Sequence, residues 1–247
     1  QEKRDVLFNL MDIRTYDNYT FEHSVNVCIM SILTARGLKY DANRMKELGI
    51  GAILHDIGKI RIPREILNKP SGLNNYEFEE MKKHTIYGFE LLRSNSDISR
   101  LSAYIALTHH ERIDGSGYPL CIKGSDIHQY SKIVSVADVY DALTSSRAYK
   151  KKQPPHEAIE YIISLSSYYY DKEVVESFIR NIAVYPVGTG VVFNTGEKGI
   201  VVKANKHMST RPVVRVIYDA DNKKLKNFYE VDLMKKLNVF IVDSYEL

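Results

Sequence analysis

Arg44-Met45-Lys46-Glu47-Leu48-Gly49-Ile50-Gly51-Ala52-Ile53-Leu54-His55-Asp56-Ile57-Gly58-Lys59-Ile60 begins as a helix and ends in polar chemistry. Met45, Leu48, Ile53 and Leu54 recur near the spacing of one helix face, which predicts a helix over Arg44–Ile57. At its end stand two side chains able to hold a metal, His55 and Asp56, followed by Gly58-Lys59. Such groups are costly to bury in apolar surroundings unless they are paired or metal-bound. Neighbouring side chains on a helix point about 100° apart, so this pair can diverge onto two ions. Asp56, with two oxygens, has the means to bridge them.

The same helical texture extends outward. It predicts helices over Ser24–Leu38, Tyr76–Leu92, Ile98–Thr108, Ser131–Ser145, Pro155–Ser166 and Asp171–Ala183. Pro155 suits a first helical turn. After about Tyr185-Pro186 the pattern changes. Val187–Phe193, Gly199–Val202, Pro212–Tyr218, Phe228–Leu233 and Val239–Val242 are short and rich in β-branched and aromatic residues. Turn-forming Asn194-Thr195-Gly196 and Asp219-Ala220-Asp221-Asn222 separate some of them. The expected architecture is mainly α: a helical bundle over residues 1–184, then a small β-sheet or barrel-like module over 185–247. Tyr168-Tyr169-Tyr170 reads as a packing feature or the lead-in to a helix.

Composition narrows the classes. With 247 residues, 44% hydrophobic and 26% charged, the chain has enough apolar material for a sizeable core without disulfides or a structural metal. A net charge of +3 is too small to indicate nucleic-acid binding, and Lys223-Lys224-Leu225-Lys226 reads as solvated. The two cysteines, Cys28 and Cys121, form no CxxC pair. Few cysteines and no signal peptide suit a reducing cytoplasm. No apolar run approaches the roughly 20 residues of a membrane span. A start at Gln1 suggests an excised fragment lacking an upstream sensory or membrane part.

Beyond His55-Asp56, candidate ligands recur at His23, His84, His109-His110 and Asp138. Neutral imidazole and carboxylate suit first-row divalent metals. Two such ions roughly 3.5–4 Å apart suit phosphoester hydrolysis. Any of these residues alone reads more simply as a structural histidine, a helix cap or a hydrogen-bonded acid. Their joint order is informative. His55-Asp56-Ile57-Gly58-Lys59 resembles the HD-x-GK signature of the HD-GYP family. His84 with Gly88 is similar to the family's next histidine block. His109-His110-Glu111-Arg112-Ile113-Asp114-Gly115-Ser116-Gly117-Tyr118-Pro119 resembles its long HHE-x-x-DG-x-GYP signature. Ala137-Asp138-Val139-Tyr140-Asp141-Ala142-Leu143-Thr144 with Arg147 resembles the final block. The resemblance covers roughly residues 10–184.

That resemblance implies a phosphodiesterase of bacterial second-messenger signalling that hydrolyses cyclic di-GMP to pGpG, with a further cut to GMP left open. It implies metal ligands His23, His55, Asp56, His84, His109, His110 and Asp138, with Asp56 bridging a binuclear centre. Iron and manganese are the expected metals, with nickel and zinc as alternatives. Some family members hold a third metal through a glutamate one helical turn before the first histidine. Tyr19 stands there in this chain, and Glu22 lies on another face, which favours two metals. Lys59 is expected to stabilise developing negative charge. Arg147 and Lys150 are expected on the substrate's phosphates, with Asp114, Gly117, Tyr118 and Pro119 shaping the pocket. The family often has proline where Ala148 stands. Asp141 has two readings, orienting a metal ligand or orienting Arg147; His128, His156 and His207 match no ligand position. The sequence names no convincing general acid, for which a metal-bound water is a candidate. Two other functions remain open: a degenerate cyclic-dinucleotide sensor or diguanylate cyclase-binding module, and a hydrolase of another nucleotide such as cyclic GMP-AMP. The β-module reads as a packing or homodimer-supporting element, with regulation or partner binding as the alternative.

Overall fold

The computed structural model describes residues 18–145, 153–182, 184–205 and 208–245. Arg147, Ala148, Lys150, Lys151, Lys152 and His207 lie outside them. The helices are α1 (Asn18–Gly37), α2 (Ala42–Ile53), α3 (Arg64–Leu67), α4 (Asn75–Lys82), α5 (His84–Arg93), α6 (Arg100–Thr108), α7 (Gln129–Thr144), α8 (Pro155–Ser164) and α9 (Lys172–Asn181). The strands are β1 (Gly190–Phe193), β2 (Lys198–Lys203), β3 (Val213–Tyr218), β4 (Lys224–Asp232) and β5 (Ile241–Tyr245). The chain divides into two compact units, Gln1–Lys152 with Ile162–Phe178, and Gln153–Tyr161 with Ile179–Leu247.

In the helical unit α1 packs on α2 and α7, while α6 packs on α2, α5 and α7. The apolar faces read from the sequence supply the core: Leu48, Ala52, Ile105, Ile133 and Val136 are fully buried. Local caps set several helix starts. Asp41 accepts from the Arg44 N–H at 2.9 Å and Ser99 accepts from the Ser102 N–H at 2.9 Å. His128 caps α7 by accepting from the Tyr130 N–H at 3.2 Å.

Two expected helices end elsewhere. The Arg44–Ile57 helix stops at Ile53, and Ile57–Arg61 forms a separate 3₁₀ turn. His55 and Asp56 therefore sit in the turn between helices. The Tyr76–Leu92 helix is broken at Lys83. There the His84 ring bonds the Met81 carbonyl at 2.7 Å, and the Thr85 hydroxyl donates to the Lys82 carbonyl at 2.9 Å. Side chains thus take up carbonyls at the break.

Gly58 fixes how the 3₁₀ turn meets α5. A β-carbon there would run into the His84 carbonyl oxygen and the Gly88 nitrogen. Only a residue without a side chain permits this approach.

The β-rich unit carries one antiparallel sheet in the order β4-β3-β2-β1-β5. Among the described residues β4 and β5 do not pair, so the sheet is open, not a closed barrel. Val214 and Val216 are buried while Arg215 between them is exposed, the alternation of a half-buried strand. Arg215 pairs across the strands with Glu230 at 2.8 Å, where the register sets them opposite each other. Lys224–Asp232 is longer than the expected strand and absorbs part of the lysine run. In the same unit His156 lies 3.1 Å from the Tyr185 hydroxyl.

We expect Gly58→Ala to destabilise the protein by about 1–3 kcal/mol, because the collision is with backbone that cannot swing aside. Thermal unfolding checks this. An unchanged midpoint would remove the close approach as a constraint.

Candidate metal centre

Five separate segments deliver the seven candidate ligands to one place. His23 comes from the middle of α1, His55 and Asp56 from the turn after α2, and His84 from the first position of α5. His109 and His110 follow α6, and Asp138 lies on α7. Six of the seven are enclosed within the fold: His23, His55, Asp56, His84 and His109 are at most 2% exposed, and the Asp138 side chain is 15% exposed. The His110 side chain is 27% exposed.

The side chains fall into two groups whose ligand atoms lie within 4.8 Å of one another: Asp56, His84, His109 and His110 in one, His23, His55 and Asp138 in the other. Asp56 faces both. Its Oδ1 lies 3.3 Å from His84 Nε2 and 3.9 Å from His109 Nε2. Its Oδ2 lies 3.4 Å from His55 Nε2 and 3.7 Å from His23 Nε2. Asp138 also spans the groups, with Oδ1 3.1 Å from His23 Nε2 and Oδ2 3.7 Å from His110 Nδ1.

The outer ring nitrogens show how the imidazoles are aimed. His55 Nδ1 meets the Ala52 carbonyl at 2.7 Å, and His84 Nδ1 meets the Met81 carbonyl at 2.7 Å. His109 Nδ1 meets the Ile105 and Ala106 carbonyls at 3.1 Å each. A carbonyl only accepts, so Nδ1 carries the proton in all three and Nε2 presents a lone pair inward. His23 Nδ1 is held by Asp141 Oδ2 at 2.7 Å, and Asp141 Oδ1 accepts from Asn26 at 2.9 Å. Among the described residues Asp141 therefore orients His23, while Arg147, its other expected partner, lies outside them. Outer partners of this kind fix ligand direction.

Charge follows the same plan. Burial pushes His84 down to about 4 and His110 down to about 3, and it holds His109 well below its ordinary range. Burial opposes charge on Asp56, yet Lys59 and His55 outweigh it and keep the carboxyl well below its usual pKa. Lys59 Nζ donates to Asp56 Oδ2 at 2.5 Å. Burial also resists a charge on His23, but Asp138 and Asp141 prevail and raise it to about 9.

The donor set fits divalent metals. His55 Nε2 and Asp56 Oδ1 are buried with no hydrogen-bond partner among the described residues. Coordination would satisfy both, and one belongs to each group. Glu22 is exposed while His23 is buried, so Glu22 is turned away from the site. Tyr19 lies on α1, and its side chain is outside the described set.

A cavity of about 470 Å³ opens beside the centre, reaching His109, His110 and Asp138. Gly117 and Tyr118 line it; Asp114 and Pro119 do not. Asp114 holds the loop instead, accepting from the Ser116 N–H at 2.9 Å and the Ser116 hydroxyl at 2.8 Å. Gly117 passes so close to the backbone of His110–Arg112 that a β-carbon would collide with it. Tyr118 stacks on His110 with centroids 4.7 Å apart, and the Tyr118–Pro119 peptide is cis.

Some parts of the site carried no assigned role in the sequence reading. Glu111 is 3% exposed and accepts from the Leu120 N–H at 2.6 Å, clamping the far end of the loop. Its place between His110 and a glycine-rich loop was the available signal. Tyr169 receives the Ile113 N–H at 3.1 Å, and the Arg112 guanidinium lies 4.2 Å over its ring. The tyrosine run thus braces the loop. Phe78, Lys82 and Tyr170 also line the cavity; nothing in the spacing of Phe78 or Lys82 marks them.

Asp141→Ala is expected to weaken metal binding about 10–100-fold by freeing the His23 ring. Chelator competition with circular dichroism as a folding control tests it; unchanged affinity in folded protein would refute the positioning role. The metal-free protein should be most stable near pH 6.5. Below that value the unfolded chain takes up protons that His84, His109 and His110 refuse in the folded protein. Above it the unfolded His23 is neutral while the folded one stays protonated until about 9, so its stabilisation fades as pH rises through that window. Melting temperatures in chelator across pH 4–10 would show the maximum, and a flat profile would contradict it.

Comparison with known proteins agrees with this geometry. The HD domain family matches residues 18–174, and the KOW domain associated with HD domain matches residues 190–247. The chain is 36% identical over 219 residues to a protein of Pseudomonas aeruginosa named cyclic di-GMP phosphodiesterase PA4108, covering 89% of this chain and 53% of that protein. It is 45% identical over 185 residues to a Thermotoga maritima protein named cyclic di-GMP phosphodiesterase, covering 72% and 50%. The chain thus spans about half the length of these relatives. A solved HDG"Y"P protein, Bd1817 from Bdellovibrio bacteriovorus, has a similar fold, with a TM-score of 0.56 at 23% identity, covering 68% of this chain and 54% of that one. With the helical fold, the convergent histidine–aspartate centre and the Gly117-Tyr118-Pro119 loop in place, the chain belongs to the HD domain family, in its HD-GYP branch.

Proposed function

We propose that this chain is a metal-dependent phosphodiesterase that opens cyclic di-GMP to linear pGpG. The observation that carries the reading is the double-facing carboxylate: Asp56 directs Oδ1 to one histidine group and Oδ2 to the other, beside a cavity of about 470 Å³. The names of the two curated relatives support the substrate.

His23, His55 and Asp138 would hold one ion, and His84, His109 and His110 the other, with Asp56 shared. When bound, two divalent ions supply positive charge to the phosphate and acidify water; iron or manganese is our assignment, with nickel and zinc as alternatives. The protein's own contribution is positional. The three Nδ1–carbonyl bonds keep Nε2 lone pairs inward, and burial keeps His84, His109 and His110 neutral and ready to coordinate. Lys59 stands at Asp56, its side chain 23% exposed, where an ammonium offsets negative charge growing on a phosphate. Arg147 and Lys150 on the phosphates rest on the family resemblance alone.

A cytoplasmic location, an upstream sensory domain or diguanylate cyclase as partner, and a homodimer belong to the same proposal. Among the described residues no helix is long and apolar enough to cross a membrane.

Purified chain loaded with manganese or iron(II) should convert cyclic di-GMP to pGpG. Asp56→Ala should abolish turnover and lower bound metal, whereas Lys59→Ala should retain metal and lose about 100-fold in kcat. Nucleotide chromatography with metal analysis measures both. Tight cyclic di-GMP binding without product from the metal-loaded protein would replace the enzyme by a sensor.

A further inference from the structure

We infer that Phe78, Tyr118 and Lys82 form a base-recognition corner that selects guanine over adenine. The inference rests on the cyclic-dinucleotide reading above and assigns the part of the cavity wall where Tyr118, stacked on His110, meets helix α4. Phe78 and Tyr118 have ring centroids 6.3 Å apart and planes at 78°, so they make two walls of a corner. Lys82 Nζ stands 4.9 Å from the Phe78 centroid and 5.6 Å from that of Tyr118. All three residues line the cavity that reaches His110 and Asp138.

Packing does not account for the placing of Phe78 and Lys82. Helix α4 has no buried residue, and Phe78 is 46% exposed. Lys82, one turn later, is paired with Glu79 at 2.6 Å, but Glu79 is 65% exposed. Such an ion pair contributes little, so Lys82 can turn to a ligand at small cost. A flat base fits an aromatic wall, where stacking is strong and tolerant of base identity.

The ammonium supplies the selection. Guanine presents two acceptors, O6 and N7, on one edge, whereas adenine presents N7 beside the N6 amino donor. Lysine offers donors and no acceptor. A base packed in this corner with that edge toward Lys82 is therefore favoured when it is guanine. A phosphate would satisfy Lys82 but leave the exposed Phe78 ring without a use.

The test titrates chelator-treated protein with cyclic di-GMP, 3′3′-cGAMP and cyclic di-AMP by calorimetry, and measures kcat/KM for each with manganese-loaded protein. Wild type should prefer cyclic di-GMP, then 3′3′-cGAMP, then cyclic di-AMP. Lys82→Gln should lose about tenfold toward cyclic di-GMP and narrow the gap to cyclic di-AMP, because an amide also suits the adenine edge. Phe78→Leu should weaken all three alike. Equal wild-type affinity for the three, or a Lys82→Gln loss that is uniform or absent, overturns the base corner. If cyclic di-GMP is cleaved and only that ratio fails, the proposed function stands. If no cyclic dinucleotide binds in either assay, both readings fall.

Discussion

The Asp56 carboxylate, buried between two sets of imidazoles, is the constraint around which the helical unit is arranged. An isolated buried carboxylate is strongly disfavoured. Here His55, His84 and His109 surround it and Lys59 reaches one oxygen. Burial in turn holds His84, His109 and His110 neutral. What remains is a set of inward lone pairs and negative oxygens, which is the electrostatic description of a cation site. Within the centre His55 Nε2 and Asp56 Oδ1 have no hydrogen-bond partner among the described residues, which is where a cation would complete the arrangement.

Holding that arrangement depends on backbone as much as on the ligands. His55, His84 and His109 are each anchored through Nδ1 to carbonyls at the ends of helices. Carbonyls in a last helical turn lack the regular i+4 partner further along the helix and can take a ring N–H as well, which suits ligands placed at termini. His23 lies in mid-helix, where the carbonyls are engaged, and it takes Asp141 as its outer partner instead. Gly58 then lets the first ligand turn sit directly against the second. The cavity wall is organised separately, by Glu111 and Tyr169 gripping the loop that carries Tyr118.

Much of the fold was legible because apolar spacing reports which face is buried. The helical unit, the change of texture near Tyr185 and the five strands follow from that pattern. The break at Lys83 was not legible: Tyr76–Leu92 keeps helical spacing throughout, and the interruption comes from His84 and Thr85 bonding local carbonyls. The stop at Ile53 was missed for a related reason, since Leu54 and Ile57 continue the apolar pattern beyond the last helical turn. Closure of the β-module was equally out of reach, because strand order is a long-range property.

For the site, the sequence by itself named the seven candidate ligands but not Phe78, Lys82 or Tyr170 of the cavity wall. The His-Asp, His-His and Gly-Tyr-Pro motifs name the chemistry because few residue types bind divalent metals and few permit close backbone approach. Tertiary structure alone decided the division of labour: which Asp56 oxygen meets which histidines, that Asp141 holds His23, and that Asp114 ties the loop while Phe78 and Lys82 face the cavity. The reason is physical. Side-chain identity is local, but coordination, tautomer and exposure depend on atoms brought together from Asn18–Gly37 to Gln129–Thr144, and no local spacing encodes that convergence.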